Sequence, residues 1–169
     1  HKEPIMTQAQ TLWGSPVAMT ITLASLASDT NLIAGRESTV VNSTASFAVD
    51  FLVGGTITAS STSATASRQI EIWAYGTYDG TSYSAGATGS DANFSPTGEK
   101  TLLKLLTIIP TDATSSHAYQ WGPFSIAQAF GGVAPLSWGS YVVHNMGSAL
   151  SATGANHEME YIPVYYTSS

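Results

Sequence analysis

Four histidines, His1, His117, His144 and His157, are the side chains best suited to proton transfer or metal ligation in this 169-residue chain. A metal site needs further ligands at a recognised spacing, and none of the four has one. The densest titratable stretch is His157, Glu158 and Glu160. In a strand the two glutamates share one face and His157 takes the other, which describes an exposed pair better than a ligand set. Asp79-Gly80 lacks the repeated Asp/Asn ligands and closing Glu of a calcium loop, and reads as a turn. Ser, His and Asp all occur, yet no Ser lies in a G-x-S-x-G elbow. Gly132 and Gly139 fall in neither a dinucleotide nor a phosphate-loop spacing. Carboxylates are too few to nominate a glycosidase pair. With no cysteine at all, Cys-ligated zinc, iron–sulfur clusters and disulfides are excluded. The expectation is a protein without catalytic residues, metal or cofactor.

The elements that would position any site come from composition and periodicity. Apolar residues make up 43% of the chain and charged residues 9%, against about 25% charged in an ordinary domain. The length suits one domain with a core that needs no covalent staples. Net charge is −6, and the five basic residues, Lys2, Arg36, Arg68, Lys100 and Lys104, are scattered. A phosphate backbone is bound by clustered cations, so nucleic acid is not expected as a partner, nor is an anionic membrane surface. No apolar run approaches the ~18–20 residues of a membrane span. Residues 1–10 are polar with no apolar h-region, so no signal peptide is expected.

Alternation with period two dominates the chain. Val17, Met19, Ile21 and Leu23 alternate with Ala and Thr; Phe47, Val49, Phe51 and Val53 form a second set, and Ile70, Ile72 and Ala74 a third. Such runs read as half-buried strands. Thr39 to Val41, Thr56 to Ala59, His117 to Trp121, Ser140 to His144 and Glu158 to Tyr166 add candidates, separated by Gly, Pro, Asn and Asp clusters. Thr101 to Ile109 fits a helix face or a buried strand, with strand favoured; Ser125 to Phe130 reads as one helical turn ended by Gly131-Gly132. Pro163 cannot donate to a ladder, which places the last strand at an edge or interrupts it. The fold expected is all-β, a jelly-roll-like sandwich of about eight antiparallel strands over residues 16–169, preceded by an N-terminal arm, residues 1–15.

Two features bear on association. Edge strands are normally guarded by Lys, Pro or a cover, and this chain has only three lysines. Subunit assembly into a homo-oligomer, dimer or trimer, would cover them, as would barrel closure or a self-covering arm. Aromatics crowd the stretch from Tyr119 to Asn145, where they either close the core or form a surface for other chains. The interface residues expected are Leu12, Trp13, Trp121, Phe130, Trp138 and Tyr141. Leu12 and Trp13 are the apolar anchors of the arm, docking on their own subunit or a neighbour.

ITLASLASDTNLIAGRESTVV (Ile21 to Val41), YGTYDGTSY (Tyr75 to Tyr83), WGPFSIAQAFGGVAPLSWGSYVVHNMG (Trp121 to Gly147) and the closing GANHEMEYIPVYY together resemble small virion proteins of tailed bacteriophages. The likeness runs from about Leu12 onward. It implies a structural role, nearest to head decoration or cement proteins, with the major capsid protein as partner and the outer capsid surface of the virion as location. Such proteins are often sandwiches or jelly rolls and have no catalytic residues to carry over. The alternatives are a carbohydrate- or receptor-binding sandwich, which needs exposed, coplanar Trp121, Trp138 or Tyr141, and a phage tail or neck component. A hydrolase would need a pocket joining a Ser or carboxylate to His117 or His144.

Overall fold

Eight strand positions nested like one long folded hairpin account for the architecture. The computed structural model describes residues 9–45, 47–62, 64–96 and 98–168. Among them lie β1 (Ala9–Trp13), β2 (Val17–Ala18), β3 (Gly35–Glu37), β4 (Val41–Asn42), β5 (Asp50–Thr58), β6 (Arg68–Thr77), β7 (Ala92–Phe94), β8 (Lys104–Thr111), β9 (Ala118–Ser125), α1 (Ile126–Ala129), β10 (Ser137–His144) and β11 (Glu158–Ser168). One sheet runs β1-β11-β5-β9 with β2 continuing β1 along β11; the other runs β7-β3-β10-β6-β8 with β4 continuing β3 along β10. With β1/β2 and β3/β4 each counted as one position, the first pairs with the last (β11), the second with β10, β5 with β9, and β6 with β8. Every pairing is antiparallel. This nested order is a jelly roll, and β7 is an addition to its second sheet.

The alternating residues fill the space between the sheets. Phe51, Val53 and Ile57 from β5 share one core with Ile70, Ile72 and Ala74 from β6 and with Trp138 and Val142 of β10, the neighbour of β6 in the second sheet. Phe51 and Trp138 lie 5.5 Å apart and Tyr161 stands edge-on to both. A second core lies on the far side of the second sheet, where Tyr75, Tyr141 and Val143 are covered by Ala85, Ala87, Phe94 and Leu103. Those covering residues belong to the long excursion between β6 and β8. Every residue of β10 is consequently buried, as expected for a strand with both faces covered.

The excursion is held by polar groups. The carboxylate of buried Glu37 accepts the N–H of Thr88 at 2.9 Å and its hydroxyl at 2.7 Å. Arg36 donates through Nε to Asp91 at 2.6 Å and through a terminal nitrogen to Asn93 at 3.1 Å. Lys100 pairs with Glu71 and donates to the Leu32 carbonyl at 2.5 Å.

Three expectations are corrected. Met19 to Leu23 buries Met19 and Leu23 as the alternation predicts, but no strand forms there; Met19 donates to the Met159 carbonyl and Thr20 accepts from Thr39 as the chain crosses between sheets. Phe47 leaves the alternation, because its φ of +53° turns the chain before β5 begins. Pro163 lies within β11, an internal strand. It is tolerated because its missing N–H faces the break between β1 and β2: its carbonyl accepts from Gly14 at 2.8 Å, and a residue's N–H and C=O point the same way in an antiparallel ladder. Of the arm expected over 1–15, residues 9–13 form β1 on the sheet edge and residues 1–8 lie outside the described residues.

Candidate functional site

The nested topology sorts the connections to two ends of the sandwich. The β4–β5 and α1–β10 connections, the start of the β6–β8 excursion and the β1 and β11 termini lie at one end. Segments 19–34, 59–67, 112–117 and 145–157 lie at the other. Large apolar side chains are distributed very unequally between them. The first end displays Phe47 at 88% exposure, Tyr78 at 86%, Val133 at 75% and Tyr166 at 68%, with Leu102 and Leu136 also exposed. The second end displays none among its described residues. Its cleft, of about 640 Å³, is lined by Ser25, Ser60, Ser61, Ser116, Ser151 and further small or polar residues, with buried Leu150 at its floor as the one large apolar side chain.

Local chemistry fixes the apolar pole. Asp79 accepts the Thr81 and Ser82 N–H groups at 2.8 and 2.7 Å and the Thr77 hydroxyl at 2.8 Å. These bonds hold its carboxyl well below the usual carboxylate range and close the turn that leaves Tyr78 pointing outward. The Ser125 hydroxyl caps α1 by accepting from Gln128 at 2.9 Å. Asp50 on β5 accepts that hydroxyl at 2.6 Å and the Ala127 N–H at 2.7 Å. Gly131 and Gly132, with φ of +84° and +110°, end the helix and present Val133. A cleft of about 550 Å³ opens between Tyr78, Leu102, Phe130, Val133, Pro135 and Leu136. Apolar side chains shown on anchored turns form a surface that needs little ordering on contact.

The expected interface residues divide. Trp138 and Tyr141 are completely buried and cannot meet another chain, and Trp121, 8% exposed, packs in the core with only its rim on a cleft beside Glu158 and Glu160. Trp138 and Tyr141 point to opposite faces of β10, one into each core. Their burial also removes the coplanar platform that a sugar-binding reading required. Phe130 is half-buried and lines the apolar cleft. Leu12 and Trp13 lie in β1 opposite Tyr165 and Val164 of β11 in the same chain, and their side chains remain 54% and 57% exposed. Sequence reasoning missed Phe47, Tyr78, Val133 and Leu136. The available signal was a large apolar residue set inside turn chemistry, as in Tyr78-Asp79-Gly80 and Gly131-Gly132-Val133, where a turn offers no core.

His1 lies outside the described residues, and the other three histidines are engaged structurally. His157 donates from Nε2 to the Ser151 carbonyl at 2.9 Å and accepts the Thr58 N–H at Nδ1. His144 is fully buried, donates to the Leu26 carbonyl at 3.0 Å and has its basicity lowered by desolvation. His117 meets Asp112 at 2.8 Å and stacks on Tyr119 with ring centroids 4.3 Å apart. This pair sits exposed in the β8–β9 connection. Among the described residues no group of three or more His, Cys, Asp or Glu is placed to hold a metal ion. Among the described residues no helix is long and apolar enough to cross a membrane. No protein-family model, curated protein or solved structure matches the chain.

Proposed function

We propose that this chain is a structural virion protein, a head decoration or cement protein of a tailed bacteriophage that sits on the outer capsid and stabilises contacts between major capsid subunits. The fold alone does not select that role, since jelly rolls serve many functions. The observation that carries it is the unequal display of apolar side chains on two ends of one rigid sandwich. A protein attached to a large surface needs one end to bury and one end to present to solvent. The pole of Phe47, Tyr78, Val133 and Leu136 suits burial, and the Ser/Thr-rich pole suits water. The sequence resemblance to small phage virion proteins points the same way. At ~25 cal/mol per Å² of apolar area, several hundred Å² per contact contributes several kcal/mol before association costs. Many symmetry-related copies multiply that along the shell.

The test uses capsids of the encoding phage stripped of this protein. Wild-type chain should rebind, while a Tyr78→Ser, Val133→Ser double variant should keep its melting temperature and lose at least tenfold in affinity. A Ser61→Lys variant at the other pole should bind like wild type. Unchanged binding by the double variant, with loss in Ser61→Lys, would overturn the assignment of the pole. Failure of wild-type protein to bind any capsid preparation would overturn the role itself.

A further inference from the structure

The outer edge of β1 is the one long sheet edge in the described chain that carries no guard. The other edges are defended in familiar ways: β8 contains Lys104 and Pro110, β9 contains Pro123, and β7 is three residues long. β1 (Ala9–Trp13) has neither Lys nor Pro, and all five residues are exposed. The Gly14 N–H donates to the Pro163 carbonyl, which makes Gly14 and Pro163 a hydrogen-bonded pair. Pair types alternate along an antiparallel ladder. Leu12 opposite Tyr165 and Gln10 opposite Thr167 are therefore bonded pairs, by the observed register. The N–H and C=O groups of Ala9, Thr11 and Trp13 are left pointing away from β11, along the open edge.

We infer that this edge pairs antiparallel with β1 of a second copy, about a two-fold axis at Thr11. Such an interface is self-complementary. Thr11 faces Thr11 of the partner copy, a favourable cross-strand pair, and Trp13 lies over the small Ala9 side chain. The three outward residues of each copy supply a continuous ladder joining the two sheets. Charge favours a copy of the chain as occupant. The net charge is −6, yet no Asp, Glu, Lys or Arg occurs between residues 4 and 28. This edge can thus meet itself without the repulsion that like-charged faces would impose. Antiparallel pairing directs the two apolar poles to opposite ends of the dimer, so both copies cannot hold one surface while paired. The dimer is a form for solution, and attachment side by side requires it to separate.

The absence of cysteine makes the test clean. Under mild oxidation a Thr11→Cys variant should form a covalent dimer at least tenfold faster than a Ser61→Cys variant at the far pole, since Cα atoms facing each other in such a pair lie ~5.5 Å apart. Wild-type protein should sediment as two chains at tens of micromolar. A Thr11→Pro variant loses only an outward N–H, so it should keep its circular-dichroism spectrum and melting temperature while sedimenting as one chain. If it fails to fold, Thr11→Lys gives the same reading. A monomeric wild type, a Thr11→Cys rate equal to that of Ser61→Cys, or a folded Thr11→Pro variant that remains dimeric would each overturn the inference. Capsid rebinding by a monomeric wild type would leave the proposed role standing, which separates the two failures.

Discussion

Replacing Lys100 by Met should destabilise the protein by about 2–3 kcal/mol. The Lys100 ammonium pairs with the Glu71 carboxylate, donates to the Leu32 carbonyl at 2.5 Å and lies 4.9 Å from the centre of the Trp73 ring. The Glu71 side chain is 9% exposed and that of Lys100 22%. Removing one partner of a fully buried pair costs about 3–5 kcal/mol, because the remaining charge is stranded. Two things reduce that figure here. Glu71 keeps the Gln69 amide at 2.6 Å and the Trp73 indole N–H at 2.9 Å, and the residual exposure of Lys100 admits some screening. At about 2–4 °C per kcal/mol for a chain of this size, the melting temperature should fall by about 5–10 °C. Adding Glu71→Gln to Lys100→Met should recover part of the loss, since no charge is then stranded. Thermal unfolding followed by circular dichroism reads both effects. A fall of less than about 1 °C in the single variant, or a double variant less stable than it, would refute the reasoning. The pair also anchors the excursion that carries Tyr78 and Leu102, so capsid rebinding should weaken in parallel.

Mild acid should weaken the fold through His144. Burial depresses the basicity of His144, so between about pH 6.5 and its lower folded value the unfolded chain binds more protons. Stability is full above about pH 6.5 and declines as pH falls through that window; melting temperatures from pH 7.5 to 5 should show the decline, and His144→Gln should flatten it. Gly139→Ala places a methyl 2.4 Å from the Tyr75 ring, against a side chain whose hydroxyl is tied to the Ser38 carbonyl at 2.5 Å. A cost of about 1–3 kcal/mol is expected by denaturant titration. Asp50→Ala removes the acceptor for Ser125 and Ala127. It should cost about 1.5–3 kcal/mol and speed hydrogen exchange over residues 126–136.

Alternation located the strands wherever one face of a sheet meets the single large core. Phe51, Val53, Ile70 and Ile72 were legible for that reason, and the closing turns followed from Gly, Asn and Asp. The rule fails on β10, where Trp138 and Tyr141 are both buried on opposite faces because the excursion builds a second core. Aromatics on such a strand look like a surplus in sequence and hence like an interface. Only the long-range fold of residues 78–103 onto the sheet reveals what covers them. Phe47 shows the converse error: its spacing suits the β5 pattern, but a left-handed backbone angle takes it out of register. The apolar pole was therefore hidden, because its members come from three distant connections that reach one end only in the fold. Thr101 to Ile109 was ambiguous for a local reason, since Leu spacing serves either period; pairing with β6 over Arg68 to Ala74 makes Lys104 to Ile109 part of strand β8, while Thr101 and Leu102 lie in a 3₁₀ turn before it.

The central claim is that the apolar pole holds this chain on a capsid. A cryo-EM reconstruction of the particle that carries it tests this most directly. A jelly roll is expected on the outer shell, with Phe47, Tyr78, Val133 and Leu136 facing the major capsid protein and Ser25, Ser61 and Ser116 toward solvent. Density with the serine-rich end against the shell, or a head that lacks the chain altogether, would contradict it.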